Sequence, residues 1–210
     1  MQRALAAAAA AAPPWRPGNG VRVGACFVCF ERGSSGPGRP GDRGWAAAAL
    51  HGDVAVVEAP AGAAYEAGLL ALREGPLLET AVRRLAEPPD VLLVNATGRD
   101  HPRRAGLALH LGSVLDLPTV GLTHRTLLAA GEWPPDERGA RHPLRLDDEL
   151  VGYWLRTKRG TRPLAVHAAW RTDPETAARI VLLATRRSRT PEPLRLARRA
   201  ARTARARSPA

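Results

Sequence analysis

The stretch from residue 91 to residue 122 constrains the fold of this chain most strongly. Residues 91–94 are four consecutive aliphatic side chains, which predict a strand buried on both faces. A polar turn follows, then an apolar helix over residues 105–115 and a second strand over residues 119–122. Strand, helix and strand in this order predict a parallel crossover, and such units bind ligands beyond the carboxyl ends of their strands. We therefore expect functional residues in the loop at 95–104.

Two motifs in this part of the chain carry a family resemblance. The first joins Asn95-Ala96-Thr97-Gly98 to His101-Pro102-Arg103-Arg104 and to the glycine- and leucine-rich residues 106–112, without a gap. The second covers residues 65–76 and contains the pair Arg73-Glu74. In this order the two motifs resemble endonuclease V, a family of metal-dependent nucleases directed at deoxyinosine in nucleic acid. The resemblance extends over roughly residues 21–193.

The resemblance implies an α/β protein with a ribonuclease H-like mixed sheet, in which three antiparallel strands are followed by parallel strands and flanked by helices. The hydrophobic pattern is compatible with this fold. It predicts strands and helices, with a kink or break near Gly75-Pro76 and a long loop at residues 129–148. The predicted strands are residues 21–30, 45–50, 54–59, 150–155 and 164–168, and the predicted helices are residues 68–85 and 174–184.

Composition predicts one folded domain between two disordered ends. We expect a disordered, alanine- and proline-rich segment at 1–20, an endonuclease V-like domain at 21–185, and a disordered tail at 186–210 that contains nine arginines. The net charge of +11 favours a polyanionic partner, so we expect weak binding to nucleic acid. No apolar run is long enough to span a membrane, and we expect a cytoplasmic protein.

The two cysteines, Cys26 and Cys29, have a spacing that also occurs in redox and zinc sites. They lie in a predicted apolar strand, however, where residues three apart point to opposite faces. This placement favours two buried thiols.

The resemblance also assigns the positions that hold Mg²⁺ in the family, and most of them are replaced. It places Phe27 and Asn95 where the family has two aspartates, and it retains Glu74 as the third carboxylate. His124 falls on a family lysine and Trp170 on a late histidine. Because charged oxygen ligands carry Mg²⁺ binding, one carboxylate of three predicts no bound metal or other cofactor. Glu74, Asn95 and His124 are thus degenerate catalytic positions.

A second set of positions corresponds to the base pocket of the family. Tyr65 matches an aromatic wedge, and Arg103 and Arg104 are available for phosphates. Other interpretations stay open, since Tyr65 could simply pack, His101 could cap the following helix, and Glu74 could pair with Arg73, Arg103 or Arg104. The pocket positions themselves are Gly68, Leu70, Gly98 and His101.

Three functions are compatible with this pattern. In the first, the chain binds nucleic acid or a base-like ligand in the former catalytic cleft and no longer cleaves phosphodiesters. In the second, it is an active Mg²⁺-dependent endonuclease with a reduced metal site, acting on deoxyinosine-containing DNA or inosine-containing RNA. In the third, the scaffold serves another small ligand or reaction through Glu74, Asn95, His101 and His124. The lost carboxylates argue against the second, and the fold motifs, the retained pocket residues and the positive charge favour the first.

Overall fold

The computed structural model describes residues 1–31 and 37–208. These residues form an eight-stranded mixed sheet, in the order β3-β2-β1-β4-β5-β8-β7-β6, with helices on both faces. The strands are β1 (Val23–Phe30), β2 (Arg43–Leu50), β3 (Asp53–Pro60), β4 (Val91–Val94), β5 (Thr119–Thr123), β6 (Arg141–Leu146), β7 (Glu149–Leu155) and β8 (Leu164–Ala168). The helices are α1 (Gln2–Ala11), α2 (Leu70–Arg83), α3 (Leu107–Leu115), α4 (Pro174–Leu183) and α5 (Glu192–Arg207).

The predicted α/β class and its strand directions are confirmed. β1, β2 and β3 form an antiparallel meander, and β4 and β5 run parallel to β1. β8 then pairs with β5 in the antiparallel direction, and β7 and β6 continue the sheet to its edge. The carboxyl ends of β1, β4 and β5 therefore lie at one edge, where a parallel arrangement places ligands.

Two hydrophobic cores cover the two faces of the sheet. One lies beneath α1, α2 and α3 and contains Cys26, and the other lies beneath α4 and α5 and contains Cys29. The prediction of two buried thiols on opposite faces of β1 is confirmed. Alternation along β1 also puts Phe27 in the α5-side core, directly beside Cys26 in the other one.

The central elements match their predicted positions, with two exceptions. No break interrupts α2 near Pro76, because the proline lies inside one continuous helix of 14 residues. The long loop predicted at 129–148 is partly wrong, since its second half contains β6. β6 is an edge strand in which only Leu144 is buried, and it includes Pro143, so its sequence resembles that of a loop.

Both ends of the chain differ from the predicted disorder. Residues 2–11 form α1, whose Ala9 is buried and whose Leu5 and Ala6 pack on the core beneath α2 and α3. Residues 192–207 form α5, which lies across β1 and β2 and buries Leu194, Ala197 and Ala201. The arginine-rich segment is therefore part of the folded domain and brings its charges to the sheet. No helix in the described part of the chain is long and apolar enough to cross a membrane.

Candidate functional site

Asn95 marks the centre of the candidate site, at the carboxyl end of β4. Its side-chain carbonyl oxygen, Oδ1, accepts a hydrogen bond of 3.0 Å from the guanidinium of Arg198 on α5. The same guanidinium lies over the ring of Phe27, with 5.2 Å from its central carbon to the ring centroid. Arg202, one helical turn further along α5, lies over the same ring at 5.6 Å. Arg198 and Arg202 of α5 thus lie beside Phe27 and Asn95, two of the positions that the resemblance assigns to the family's metal ligands.

The β1 residue that faces Glu74 is Cys26. Phe27 belongs to the core beneath α5, whereas Cys26 belongs to the core beneath α2, the helix that carries Glu74. Burial raises the pKa of the Cys26 thiol, and the charge of Glu74 raises it further. In this structure Phe27 and the helix that carries Glu74 therefore lie on opposite faces of the sheet. Whichever residue is compared with the family, β1 contains no carboxylate.

Glu74 on α2 carries a partly buried carboxyl group. Burial raises its pKa to about 7, and the charge of Arg73 opposes this shift. Within residues 1–31 and 37–208, its carboxylate forms no hydrogen bond and no ion pair. Arg73 instead binds Asp42 at 2.7 Å. The predicted ion pair between Glu74 and a neighbouring arginine is therefore wrong.

His124 lies just beyond β5, at the same edge as Asn95. Desolvation lowers its pKa, and the positive charges of Arg189 and Arg198 lower it further. The neutral imidazole is therefore favoured near pH 7. The structure therefore places His124 within the electrostatic reach of Arg189 and Arg198.

Trp170 lies at the opposite edge of the sheet. Its carbonyl oxygen accepts a hydrogen bond of 3.0 Å from the backbone N–H of Thr119, the first residue of β5. Its own backbone N–H donates to the Thr119 hydroxyl at 3.1 Å. Trp170, which the resemblance places on the family's late histidine, therefore lies away from Asn95 and His124, which follow the carboxyl ends of β4 and β5.

The predicted base pocket is held together by His101. This residue is buried, and its Nε2 lies 3.1 Å from the carbonyl oxygen of Gly68, while its Nδ1 accepts from the backbone N–H of Arg103 at 3.1 Å. These contacts specify the neutral tautomer with the proton on Nε2. His101 therefore joins the two motifs, with both of its ring nitrogens engaged by backbone groups. It does not cap α3, whose N-cap is Gly106.

The first helix also enters this pocket. The side-chain nitrogen of Gln2, Nε2, donates to the backbone carbonyl oxygens of Gly68 at 2.8 Å and Ala105 at 3.2 Å. The amide oxygen of Gln2 accepts from Arg103 at 2.8 Å. Gly68 has a φ of +79°, so it needs a residue without a side chain to present its carbonyl group in this way. In this conformation the side-chain carboxamide of Gln2 forms hydrogen bonds with polar groups at the predicted pocket.

The remaining predicted pocket residues have diverse surroundings. Tyr65 is exposed, and Leu70 packs against the core beneath α2. Gly98 is a packing residue, because a Cβ there would lie 2.2 Å from the carbonyl oxygen of Ala168. Arg104 donates to Asp147 at 2.8 Å, so it is already paired within the protein. Of the two arginines predicted to bind phosphate, Arg103 is exposed and has no acidic partner among the described residues.

Sequence inspection missed two residues that organise the site. Asp100 is fully buried, and its carboxylate accepts backbone hydrogen bonds from residues 127, 128 and 129, which fixes the loop after β5. Its position between two motif blocks gave no sign of this role, because its partners are far away in sequence. Arg198 is one of nine arginines in the segment predicted to be a disordered tail, so composition alone did not distinguish it from the others. The spacing of Leu194, Ala197 and Ala201 could have revealed a helix that places Arg198 beside the sheet.

These residues do not fit a divalent metal ion. In the described part of the chain, no three histidine, cysteine, aspartate or glutamate side chains come together as a metal-binding group. The side-chain oxygen of Asn95, Oδ1, already accepts a hydrogen bond from the Arg198 guanidinium. A metal cation placed beside Arg198 would be repelled by its charge. A Mg²⁺ site needs several charged oxygen ligands, and Glu74 is the only carboxylate that the family positions retain here.

Known proteins resemble this chain over most of its length. The model of the family described as Endonuclease V matches residues 47–199. The endonuclease V of Roseiflexus castenholzii is 42% identical over 145 residues, which cover 69% of this chain and 65% of that relative. The chain therefore spans slightly less than two thirds of the length of this curated relative.

Solved structures resemble the whole fold. The crystal structure of endonuclease V from Streptomyces avermitilis superposes on this chain with a TM-score of 0.84 and is 30% identical in sequence. The match covers 97% of this chain and 89% of the Streptomyces chain. Endonuclease V from Ciona intestinalis, crystallised with a 24mer DNA containing an inosine followed by a ribo-adenosine, has a TM-score of 0.73 at 19% identity. There, 97% of this chain and 93% of that chain are covered. The predicted ribonuclease H-like fold is confirmed by these likenesses.

Proposed function

Since this chain belongs to the endonuclease V family, we propose that it binds nucleic acid in the former catalytic cleft without cleaving it. The observation that carries the proposal is the hydrogen bond between Arg198 and Asn95. A guanidinium stands beside the position that the family resemblance assigns to an aspartate ligand. The cleft thereby has a permanent positive charge of its own.

The loss of cleavage follows from what metal-dependent hydrolysis requires. A divalent ion stabilises the charge that develops on the phosphate and lowers the pKa of a bound water molecule. An arginine can supply charge and hydrogen bonds, but its very high pKa prevents it from activating water as a base. Glu74, the one carboxylate left, is on the α2 side and has a pKa raised to about 7. The chain thus retains electrostatic attraction for phosphate and lacks the means to generate the nucleophile.

Retained binding is supported by the pocket and by the net charge. His101 and Gly68 keep the two family motifs in contact, and Arg103 is exposed at the rim of the pocket. The net charge of +11 favours association with a polyanion through the release of counterions. The DNA complex of the Ciona relative shows that a protein of this fold accommodates inosine-containing DNA. We extend that ligand class, inosine-containing nucleic acid, to this chain.

Cleavage and binding assays on one substrate set test the proposal. Labelled DNA and RNA oligonucleotides with a single inosine are incubated with the protein and millimolar Mg²⁺ or Mn²⁺, and their binding is measured by fluorescence anisotropy with and without EDTA. We expect no product, and binding that EDTA leaves unchanged. Metal-dependent nicking that Glu74→Ala abolishes would contradict the proposal. Absence of binding at low salt would contradict its second half.

A further inference from the structure

The arginines around Asn95 form a positive cluster that the protein does not neutralise. Arg198 contacts Asn95 and Phe27, Arg202 contacts the same Phe27 ring, and Arg189 is near enough to Arg198 to be affected by its charge. Among the described residues, none of these three arginines forms an ion pair with a carboxylate. His124 lies within reach of the same charges.

Elsewhere the chain pairs most of its buried and half-buried arginines with acids. This contrast matters because the same sequence clearly can supply carboxylates where structure needs them. Like charges placed together without compensation are destabilising, so their accumulation at one cleft requires an explanation other than folding. The paired examples are Arg22 with Asp90, Arg43 with Glu58, Arg73 with Asp42, Arg104 with Asp147 and Arg156 with Asp136.

Arg198 also has unused hydrogen-bonding capacity. One terminal nitrogen donates to Asn95, but its Nε is buried and has no hydrogen-bond partner in the described part of the chain. Burial and the charge of Arg202 lower the pKa of Arg198. Keeping the Arg198 guanidinium charged at this position therefore costs electrostatic free energy. An anion with several acceptor oxygens would satisfy both the charge and the free donor.

A groove of about 420 Å³ runs along α5 beside this cluster. Its lining includes four arginines and one acid, Glu192, whose carboxylate accepts hydrogen bonds from the backbone N–H groups of Arg186 and Arg187. Glu192 is therefore engaged in fixing the start of the helix. The four arginines are Arg195, Arg198, Arg199 and Arg202.

We infer that this cleft is a phosphate-binding site in which the guanidinium of Arg198 takes the place of the family's catalytic cation. The ligand is the phosphate backbone of a nucleic-acid strand, with Arg198 donating to phosphate oxygens and Arg202 and Arg189 supplying additional charge. This inference rests on the proposed function for the identity of the ligand. The anion site itself is independent of it, because it follows from the uncompensated charges and the free donor.

The test uses pyrophosphate as a minimal probe and a metal-free oligonucleotide as the full ligand. The variants are Arg198→Gln and Arg202→Gln, with Arg207→Gln as the control that removes the same charge from an exposed position of the same helix. We expect millimolar pyrophosphate, compared with NaCl of equal ionic strength, to raise the melting temperature of the wild type and of Arg207→Gln. The rise should be lost in Arg198→Gln and reduced in Arg202→Gln.

Binding of the oligonucleotide in EDTA should weaken about tenfold in Arg198→Gln, which is the order expected for one charge-assisted hydrogen bond. Arg207→Gln should change it by less than about twofold, since an exposed charge contributes little at a distance. If Arg198→Gln fails to fold, Arg202→Gln and Arg198→Lys provide the same comparison. Arg198→Lys should keep part of the affinity, because it retains the charge and loses the planar fork.

The outcomes separate this inference from the proposed function. Equal pyrophosphate effects in the wild type and in Arg198→Gln, or no effect in either, would overturn the phosphate site. Oligonucleotide binding that Arg198→Gln and Arg207→Gln weaken alike would also overturn it, while leaving the proposed function standing. A wild type that binds pyrophosphate through Arg198 but no oligonucleotide would keep the site and refute nucleic acid as its ligand.

Discussion

Removing the carboxyl group of Glu74 should change how the stability of the protein depends on pH. Its pKa is raised from 4.5 to about 7 by burial, so the folded state holds its proton more tightly than the unfolded state does. The stability that this proton confers is therefore complete below about pH 4.5 and is lost as the pH rises through 7. A shift of about 2.5 pKa units corresponds to roughly 3 kcal/mol, which is an upper limit for a partly buried group.

Glu74→Gln keeps the shape of the side chain and cannot ionise. We expect its free energy of unfolding to exceed that of the wild type by little at pH 5 and by up to about 3 kcal/mol at pH 8.5. For a domain of this size, that difference corresponds to roughly 6–12 °C in melting temperature. Urea denaturation followed by circular dichroism at the two pH values measures it, and other titrating groups cancel in the comparison.

The matched control is Glu79→Gln, on the same helix, where the carboxylate pairs with Arg83 at 2.9 Å. Loss of this pair should give no gain in stability at high pH. Millimolar Mg²⁺ should leave the wild-type curve unchanged, because no other carboxylate joins Glu74 in a metal-binding group within the described residues. A Glu74→Gln variant with the same pH dependence as the wild type would refute the burial argument.

Three further changes test other parts of the account. Asn95→Asp should raise stability by about 1 kcal/mol at pH 7 by pairing with Arg198, and a double-mutant cycle with Arg198→Gln should abolish the gain; a gain that survives in the Arg198→Gln background would disprove the contact. Leu194→Ala should cost about 2–4 kcal/mol in urea denaturation, because α5 buries this side chain; a cost below about 0.5 kcal/mol would mean that α5 does not pack on the sheet. Deletion of residues 1–12 should strengthen oligonucleotide binding measured by anisotropy, because it removes Gln2 from the pocket; weaker binding would show that α1 contributes to the interface.

The central elements of the fold were predictable because their signals are local. A run of aliphatic residues predicts β4, and the turn at residues 51–52 separates two apolar strands. β6 and α5 have weak local signals. β6 is polar and contains Pro143, and α5 has a narrow apolar stripe within a dense run of arginines. Each acquires its structure from packing against a sheet that already exists.

The candidate site was predictable in part, for a related physical reason. The family motifs located Asn95, Glu74 and His101, which belong to contiguous segments of the sequence. Contacts that join distant segments, such as Arg198 with Asn95, have no local pattern. The face of a strand is equally hard to assign, because a shift of one residue exchanges Cys26 and Phe27 between the two cores.

The central claim is that a guanidinium, and no divalent metal ion, occupies the electrostatic centre of this cleft. Titration of the protein with Mn²⁺, with the free ion measured by electron paramagnetic resonance, tests it most directly, because Mn²⁺ occupies the same oxygen-ligand sites as Mg²⁺. The account predicts no stoichiometric site at millimolar Mn²⁺ in the wild type. One bound Mn²⁺ per chain that disappears in Glu74→Ala would contradict it.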